Sequence, residues 1–263
     1  MNFNDYLINS NNRFFQAIAV LFYGLPLTKD KKLITHNTDI EFPSIKNSIQ
    51  IDYSRKDHNG NIYAYIDLNN NIHYFPISDK IKVNFIGKNS TVVVYEPKSY
   101  NKINITVNSN SFHYIERAIR ISSLTILSRF FETTCFIGSD FRCEGATLIL
   151  DENKNIYIGN DCLFSYGIEI RSSDGHAIID IDENIINHPQ HVIIKNHVWL
   201  GQGCTVLKGT YIEDNSIVGT KAVLSGKFIE KGSIIVGSPA KVIKTGASWK
   251  TGSPTFLQKS ANK

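Results

Sequence analysis

Large apolar residues recur every six positions through the C-terminal half of this chain. A period of six fits neither an α-helix, which repeats about every 3.6 residues, nor a strand, unless each strand is very short and followed by a turn. The residue four places after each rung is mostly small or apolar, as at Cys162, Cys204 and Ala222. The rungs are Ile158, Phe164, Ile170, then His176, and after two steps in a polar stretch Ile194, Leu200, Val206, Ile212, Val218 and Leu224.

Three short strands and three turns close a triangular coil of about 18 residues, with the large apolar side chains inside. Each inward Ile or Val contributes roughly 1.5 to 3 kcal/mol of burial, against roughly 1 to 2 kcal/mol per residue of backbone ordering. One coil is therefore unstable alone, and many must stack. The repeat predicts stacked coils whose inward rows form one continuous core.

The same period extends towards the N-terminus with interruptions. Residues 86–92 fit one more rung, which begins at Ile86. Three further positions share the period but are offset by three residues from the main ladder, and we expect a loop at residues 152–155 to absorb that offset. These positions are Ile137, Cys143 and Ile149.

Composition excludes several classes of protein. The 263 residues are 42% hydrophobic and 20% charged, which suffices for a sizeable core and rules out a disordered, collagen-like or disulfide-stapled chain. A net charge of +4 is too small to indicate nucleic-acid binding. The four cysteines show no C-x-x-C spacing and are predicted to be buried free thiols: Cys135, Cys143, Cys162 and Cys204.

Two local motifs accompany the repeat, Val198-Trp199-Leu200-Gly201 and the closing run VGSPAKVI at residues 236–243. With the hexads, they resemble the hexapeptide-repeat acyltransferases over about residues 81–245. The resemblance implies a left-handed parallel β-helix, a homotrimer and acetyl-CoA as the donor co-substrate. Residues 224–229 carry one residue more than the family's usual turn, and we expect a local bulge there.

His176 interrupts the ladder. It lies 18 residues after Ile158 and 18 before Ile194, at a position where a coil requires an inward aliphatic side chain. The surrounding run at residues 167–178 resembles the sugar O-acetyltransferases, most closely those that act on sialic acid or capsular polysaccharide. The resemblance implies that His176 is the catalytic base and that residues 179–191 form a loop extruded over a neighbouring subunit.

The residues around His176 are candidates for orienting the base and for binding the acceptor. A carboxylate on the second ring nitrogen would fix the tautomer of the imidazole, and Asp174 or Glu169 could supply it. The planar fork of Arg171 could bind the carboxylate of an acidic sugar, although a solvated corner residue is the alternative. Ser173 completes the predicted acceptor-binding set.

The resemblance also implies a coenzyme site. Trp199 would pack along the pantetheine arm beside the thioester, and we count it with the catalytic as well as the coenzyme-binding residues. Gly201 and Gly219 lie on turns where backbone can approach the cofactor, since glycine lacks a Cβ. Lys241 and Lys244 could pair with the phosphates of CoA, or be ordinary surface charges.

Other functions remain open on the same scaffold. The γ-class carbonic anhydrases hold zinc with three histidines, and this chain offers several. Two of these lie in the predicted loop, however, and that family lacks the Trp motif, so we expect no metal. A non-catalytic scaffold, or an acetyltransferase for a nucleotide-linked amino sugar, a small amine or a xenobiotic, are further alternatives. The candidate histidines are His176, His188, His191 and His197.

The predicted domains are a small N-terminal α+β cap at residues 1–80, the β-helix at 81–245 and a tail at 246–263. Residues 3–25 are helix-like, whereas 62–66 alternate like a strand and precede a turn signal at 69–71. The apolar stretch at 14–27 is shorter than the roughly 20 residues that span a bilayer. We expect a cytoplasmic protein with at most peripheral membrane contact.

Overall fold

Short parallel strands, each stacked on the equivalent strand of the next coil, make up most of this protein. The computed structural model describes residues 62–66, 72–73, 80–86, 90–95, 97–253 and 257. Its strands are β1 (Ile62–Ile66), β2 (Ile72–His73), β3 (Ile81–Phe85), β4 (Thr91–Tyr95), β5 (Tyr100–Val107), β6 (Phe112–Ile115), β7 (Arg120–Ser128), β8 (Thr134–Ile137), β9 (Arg142–Cys143), β10 (Ala146–Leu150), β11 (Ile156–Ile158), β12 (Leu163–Phe164), β13 (Ile168–Arg171), β14 (Val192–Ile194), β15 (Trp199–Leu200), β16 (Thr205–Val206), β17 (Tyr211–Ile212), β18 (Ile217–Val218), β19 (Val223–Leu224), β20 (Lys227–Phe228), β21 (Ile234–Gly237) and β22 (Ala240–Lys244).

These strands form the three faces of a parallel β-helix. One face runs β4-β6-β8-β11-β14-β17-β20, a second β10-β13-β16-β19 and a third β9-β12-β15-β18-β21. The long strand β7 turns the corner between the last two faces, since its first residues pair with β9 and its last with β10. The predicted mainly β fold of stacked hexapeptide coils is confirmed.

The register shows why the sequence repeats every six residues. Ile194 pairs with Ile212, Leu200 with Val218 and Val206 with Leu224, so each ladder residue stacks on the one 18 positions later. All nine apolar rungs of the main ladder, from Ile158 to Leu224, are buried within one hydrophobic core. The large inward side chains therefore shield one another along the axis of the helix.

Two of the earlier rungs were predicted wrongly. Leu148, not Ile149, stacks on Ile170, while Ile149 lies opposite Arg171. The strand β10 is five residues long, so its side chains alternate and Leu148 takes the inward place. Ile86 is 53% exposed, because β3 ends one residue before it.

The corner at residues 224–229 is shorter than predicted. Phe228 pairs with Ile212 in regular register, only four residues after the preceding inward residue Leu224. Gly226, with a φ of +99°, provides the tight turn between them. The expected extra residue and bulge at this corner were wrong.

Antiparallel strands lie at both ends of the described ladder. β2 pairs with β1 through Tyr65 and His73, on either side of the predicted turn, and β22 folds back on β21. β1 also pairs in parallel with β4, so a strand on the N-terminal side of residue 81 extends the first face. The predicted α-helix at residues 3–25 lies outside the described residues, and the domain boundaries stay predictions.

The buried residues of the β-helix include four cysteines and one histidine. All four cysteines are buried free thiols, as predicted, and burial raises their pKa values. His113 is also fully buried, between Val92 and Cys135 of the adjacent coils. Neither ring nitrogen finds a hydrogen-bond partner in the described part of the chain, and burial lowers the pKa of His113 to about 3.

Within the described ranges, no helix is long and apolar enough to cross a bilayer.

Candidate active site

A long excursion leaves the β-helix after β13 and carries His176. Ser172 and Ser173 are the last buried residues, and the chain returns to the core at Val192. His176 is exposed and lies outside every strand, so its predicted inward ladder position was wrong. The excursion begins before His176 rather than at residue 179, because the run that follows Ser173 is polar and solvated.

The segment around His176 is held by the side chain of Asn187. Its Nδ2 donates to Asp174 Oδ2 and to the backbone oxygen of His176, both at 2.8 Å. Its Oδ1 accepts from the backbone N–H of Ile178 at 2.7 Å. Lys208 Nζ donates to Asp174 Oδ2 and to the Asn187 carbonyl, at 2.5 Å each. The Lys208 hydrogen bond is the main reason that the pKa of Asp174 is lowered.

Ser173 fastens the start of the excursion. The buried hydroxyl donates to Glu152 Oε1 at 2.5 Å and accepts from the Gly175 N–H at 3.0 Å. Ser173 therefore shapes the loop backbone and does not face solvent, where we predicted an acceptor contact. Its role in acceptor binding stays a prediction.

A charged pair braces the same corner from the preceding coil. Arg129 binds the fully buried carboxylate of Asp151 with two nitrogens, one of them Nε at 2.8 Å from Oδ1. A Cβ placed on Gly175 would lie 3.3 Å from Arg129 Nη2. The sequence analysis missed this pair, because its partners are 22 residues apart and neither stands out in the repeat.

The structure does not bring the predicted orienting carboxylates to the imidazole of His176. Glu169 Oε1 accepts from Arg171 Nε at 2.5 Å, and Asp174 binds Lys208 and Asn187 instead. Among the described residues, the imidazole itself makes no hydrogen bond. The orienting role of Glu169 or Asp174 stays a prediction.

Trp199 lies on the outside of β15. It is 37% exposed, and its Nε1 approaches Ser165 Oγ at 3.4 Å. The ring of Trp249 lies beside it, with the centroids 6.4 Å apart and the planes tilted by 56°. An exposed indole on a flat β-face suits an elongated ligand, and no contact in the described residues joins Trp199 to His176.

Trp249 belongs to the predicted C-terminal tail, yet it is buried against His197. His197 Nδ1 lies 2.7 Å from Asp161 Oδ2, and its Nε2 lies 2.9 Å from the Trp249 carbonyl oxygen. Both partners are acceptors, so the ring donates to both when it carries two protons. The sequence analysis missed Trp249, although it is one of only two tryptophans in the chain.

The two predicted coenzyme glycines meet the next coil. A Cβ on Gly201 would lie 2.7 Å from the backbone oxygen of Val218, and one on Gly219 would lie 2.8 Å from Val236 Cγ1. The absence of a Cβ is therefore needed for coil stacking. Approach of a coenzyme to these glycines stays a prediction.

The remaining candidates lie apart. Lys241 and Lys244 on β22 are exposed and make no ion pair within the part of the chain that the structure describes. His191 accepts from the Asn155 N–H through Nδ1 at 3.1 Å, and burial lowers its pKa. In the described residues, no group of three or more His, Cys, Asp or Glu side chains could hold a metal ion; the expectation of a metal-free site stays a prediction.

The chain is similar in sequence to two polysialic acid O-acetyltransferases. A polysialic acid O-acetyltransferase of Neisseria meningitidis is 32% identical over 187 residues, which are 62% of this chain and 86% of that protein. A polysialic acid O-acetyltransferase of Escherichia coli O1:K1 is 29% identical over 102 residues, 38% of this chain and 33% of that protein. No family model matches the chain.

Among solved structures, a polysialic-acid-specific acetyltransferase superposes with a TM-score of 0.63 at 21% identity, over 77% of this chain and 94% of the other. This likeness concerns the fold alone. Fold and sequence together define a parallel β-helix acyltransferase. The chain belongs to the hexapeptide-repeat acyltransferase family, as its hexads and Trp motif indicated.

Proposed function

We propose that this enzyme transfers an acetyl group from acetyl-CoA to a hydroxyl of sialic acid or of another sugar in a capsular polysaccharide or lipopolysaccharide. The observation that carries the proposal is the similarity to a polysialic acid O-acetyltransferase along 86% of that protein. A second polysialic acid O-acetyltransferase, from a different bacterium, is also similar to the chain.

His176 serves as the general base in this proposal. A sugar hydroxyl is a poor nucleophile, and an imidazole can accept its proton near neutral pH, an effect worth about 10²- to 10⁴-fold in rate. The sugar oxygen then attacks the thioester carbonyl carbon and forms a tetrahedral oxyanion, which one or two N–H donors would stabilise. Collapse breaks the carbon–sulfur bond, the imidazolium returns the proton to the CoA sulfur, and no acyl-enzyme forms.

The coenzyme would lie along the outer face that carries Trp199. Its pantetheine arm would pack on the exposed indole, and the phosphates would reach Lys241 and Lys244. The exposure of both lysines and the lack of ion pairs to them in the described residues support this assignment. Arg171 would bind the carboxylate of an acidic sugar, since within the described residues its side chain bonds through Nε to Glu169 and leaves the terminal nitrogens for a ligand.

We further propose that the active enzyme is a cytoplasmic homotrimer, in which the His176 loop of one subunit covers its neighbour. No described contact joins His176 to Trp199 within one chain, so a neighbouring subunit would complete the site. The loop also exposes a row of large apolar side chains, which suits burial at a subunit interface. These side chains are Ile178, Ile179, Ile181, Ile185 and Ile186.

A thiol-release assay tests the proposed activity. Purified protein is given acetyl-CoA with polysialic acid, free sialic acid, neutral oligosaccharides or a panel of amines. Release that depends on a sialylated or capsular glycan supports the proposal. Thiol release with an amine but with none of the glycans would instead identify an N-acetyltransferase, which acts on amino sugars or small amines.

Replacing His176 tests the role of the base. We expect His176→Ala to lose at least about 100-fold in kcat, because the variant removes the proposed proton acceptor. The matched control is His188→Ala, an exposed histidine of the same loop that makes no hydrogen bond within the described ranges. Light scattering must show the same oligomer for both variants, and full activity of His176→Ala would exclude the proposed base.

A further inference from the structure

The amide side chain of Asn187 makes three hydrogen bonds, with both N–H groups and the carbonyl oxygen, to the segment that bears His176. A primary amide has two N–H donors and one carbonyl acceptor. Here the two donors go to Asp174 Oδ2 and the His176 oxygen, and the acceptor takes the Ile178 N–H. The three bonds span five consecutive residues, with His176 at their centre.

Few other contacts fix this segment. The His176 side chain is exposed, and in the described part of the chain its ring has no hydrogen-bond partner that would orient it. The loop beyond it is a small hairpin, closed by the Ile179–Ile185 bridge and by a bond from the Ile186 N–H to the Ile178 oxygen at 2.9 Å. These bonds join the two arms of the hairpin to each other. Among the residues that the structure describes, Asn187 alone hydrogen-bonds to the backbone of His176.

Lys208 connects this clamp to the rigid β-helix. It follows β16 in the next coil, and its Nζ binds both the Asp174 carboxylate and the Asn187 carbonyl oxygen. The ammonium group is mostly buried, at 15% exposure of the side chain. Asn187 and Lys208 therefore fix the position of the His176 backbone relative to the β-helix.

We propose that Asn187 is the positioning residue for His176, and that the amide holds the base in its reactive place without touching either substrate. The proposal rests on the proposed function, since it requires His176 to be the base. The three hydrogen bonds hold an exposed loop outside the hydrophobic core, whereas a misplacement of about 1 Å at a reacting group can cost about 100-fold in rate. The effect should therefore fall on kcat and spare the fold.

The central test is Asn187→Ala against Asn184→Ala. Asn184 is the matched control, because its amide binds Asp180 at the hairpin tip and makes no contact with His176. We expect Asn187→Ala to lower kcat about 10- to 100-fold with the KM for acetyl-CoA within about twofold of wild type. Asn184→Ala should retain kcat within about twofold, and circular dichroism should show both variants folded at the assay temperature.

Asn187→Asp keeps the hydrogen-bond acceptor of the side chain and removes its two N–H donors. The carboxylate can still accept from the Ile178 N–H, but it faces the Asp174 carboxylate and the His176 carbonyl without a donor. We expect kcat as low as for Asn187→Ala or lower, while hydrogen exchange shows the Ile178 amide still protected. In Asn187→Ala the same amide should exchange faster.

A double variant shows whether Asn187 acts through His176. We expect His176→Ala/Asn187→Ala to be no slower than His176→Ala alone, because a misplaced base adds nothing once the base is absent. Additive losses, a kcat of Asn187→Ala within twofold of wild type, or an equal loss in Asn184→Ala would overturn the proposal. Full activity of His176→Ala would instead refute the base itself, so the two failures are distinguishable.

Discussion

His197 and Trp249 stack face to face, with their ring centroids 4.2 Å apart and their planes within 5°. The pair is also joined by two reciprocal hydrogen bonds, from Trp249 Nε1 to the His197 oxygen and between His197 Nε2 and the Trp249 oxygen, each 2.9 Å long. A third bond, from the Ala247 N–H to the Gly232 oxygen at 2.8 Å, continues the attachment. The segment after β22 is thus docked on the β-helix beside Trp199.

Trp249→Ala should release this segment. We expect the fluorescence of the one remaining tryptophan, Trp199, to shift to the red, because the neighbouring ring that shields it is gone. Limited proteolysis should cut after residue 245 faster than in wild type. Trp249→Phe keeps an aromatic ring on His197 and should show a smaller shift, and an unchanged Trp199 emission in Trp249→Ala would contradict the docking.

Arg129→Met should destabilise the protein by roughly 2 to 3 kcal/mol, because it leaves the buried Asp151 carboxylate without its cation. The expected loss of stability is smaller than for a wholly buried ion pair, since about half of the Arg129 side chain is exposed. Urea unfolding at neutral pH measures it. The double variant Arg129→Met/Asp151→Leu removes both charges and should be more stable than Arg129→Met; an equal or lower stability would contradict this account.

His113→Leu should stabilise the enzyme, and more so in acid. The pKa of about 3 lies below the ordinary value of 6.5, so the unfolded chain binds the additional proton and stability falls as the pH drops below about 6.5. Between pH 7.5 and pH 5 the expected cost is roughly 2 kcal/mol. Urea unfolding at both pH values should show a smaller loss in His113→Leu than in wild type. Equal losses in the two proteins would show that His113 is not the group responsible.

Gly201→Ala should destabilise the β-helix by about 1 to 3 kcal/mol, because the new methyl group would meet the backbone of the next coil. Gly145→Ala is the control, since its Cβ would have an ordinary contact at 3.6 Å to the nearest atom, the Gly167 nitrogen. Thermal unfolding of both variants measures the difference. A Gly201→Ala protein as stable as Gly145→Ala would mean that the coils have room there.

The regular part of the fold was predictable because its cause is local. A large residue every six positions, with a small one four places later, can be buried only by short strands and corners, and the nine apolar rungs from Ile158 to Leu224 are inside as expected. The prediction failed where the spacing between inward residues departs from six. Leu148 takes the inward place of Ile149 because β10 is longer, and Gly226 shortens a corner by its positive φ.

The site was only partly predictable. Local sequence identified His176 and Trp199 as candidates, and the period fixed neither the exposure of His176 nor its neighbours. Asn187 binds His176 from 11 residues later in the chain, and Lys208 binds Asp174 from 34 residues later. Such contacts follow from how an excursion folds back, which the pattern of apolar residues does not encode.

The apolar periodicity of this chain dictates short strands stacked into a β-helix, because the burial requirement repeats with each coil. The docking of Trp249 on His197, 52 residues earlier, and the clamp of Asn187 on the backbone of His176 could be read only from the folded chain. The difference lies in the range of the interactions. Periodic burial is set by neighbours in sequence, whereas hydrogen bonds between irregular segments depend on where the coils place them.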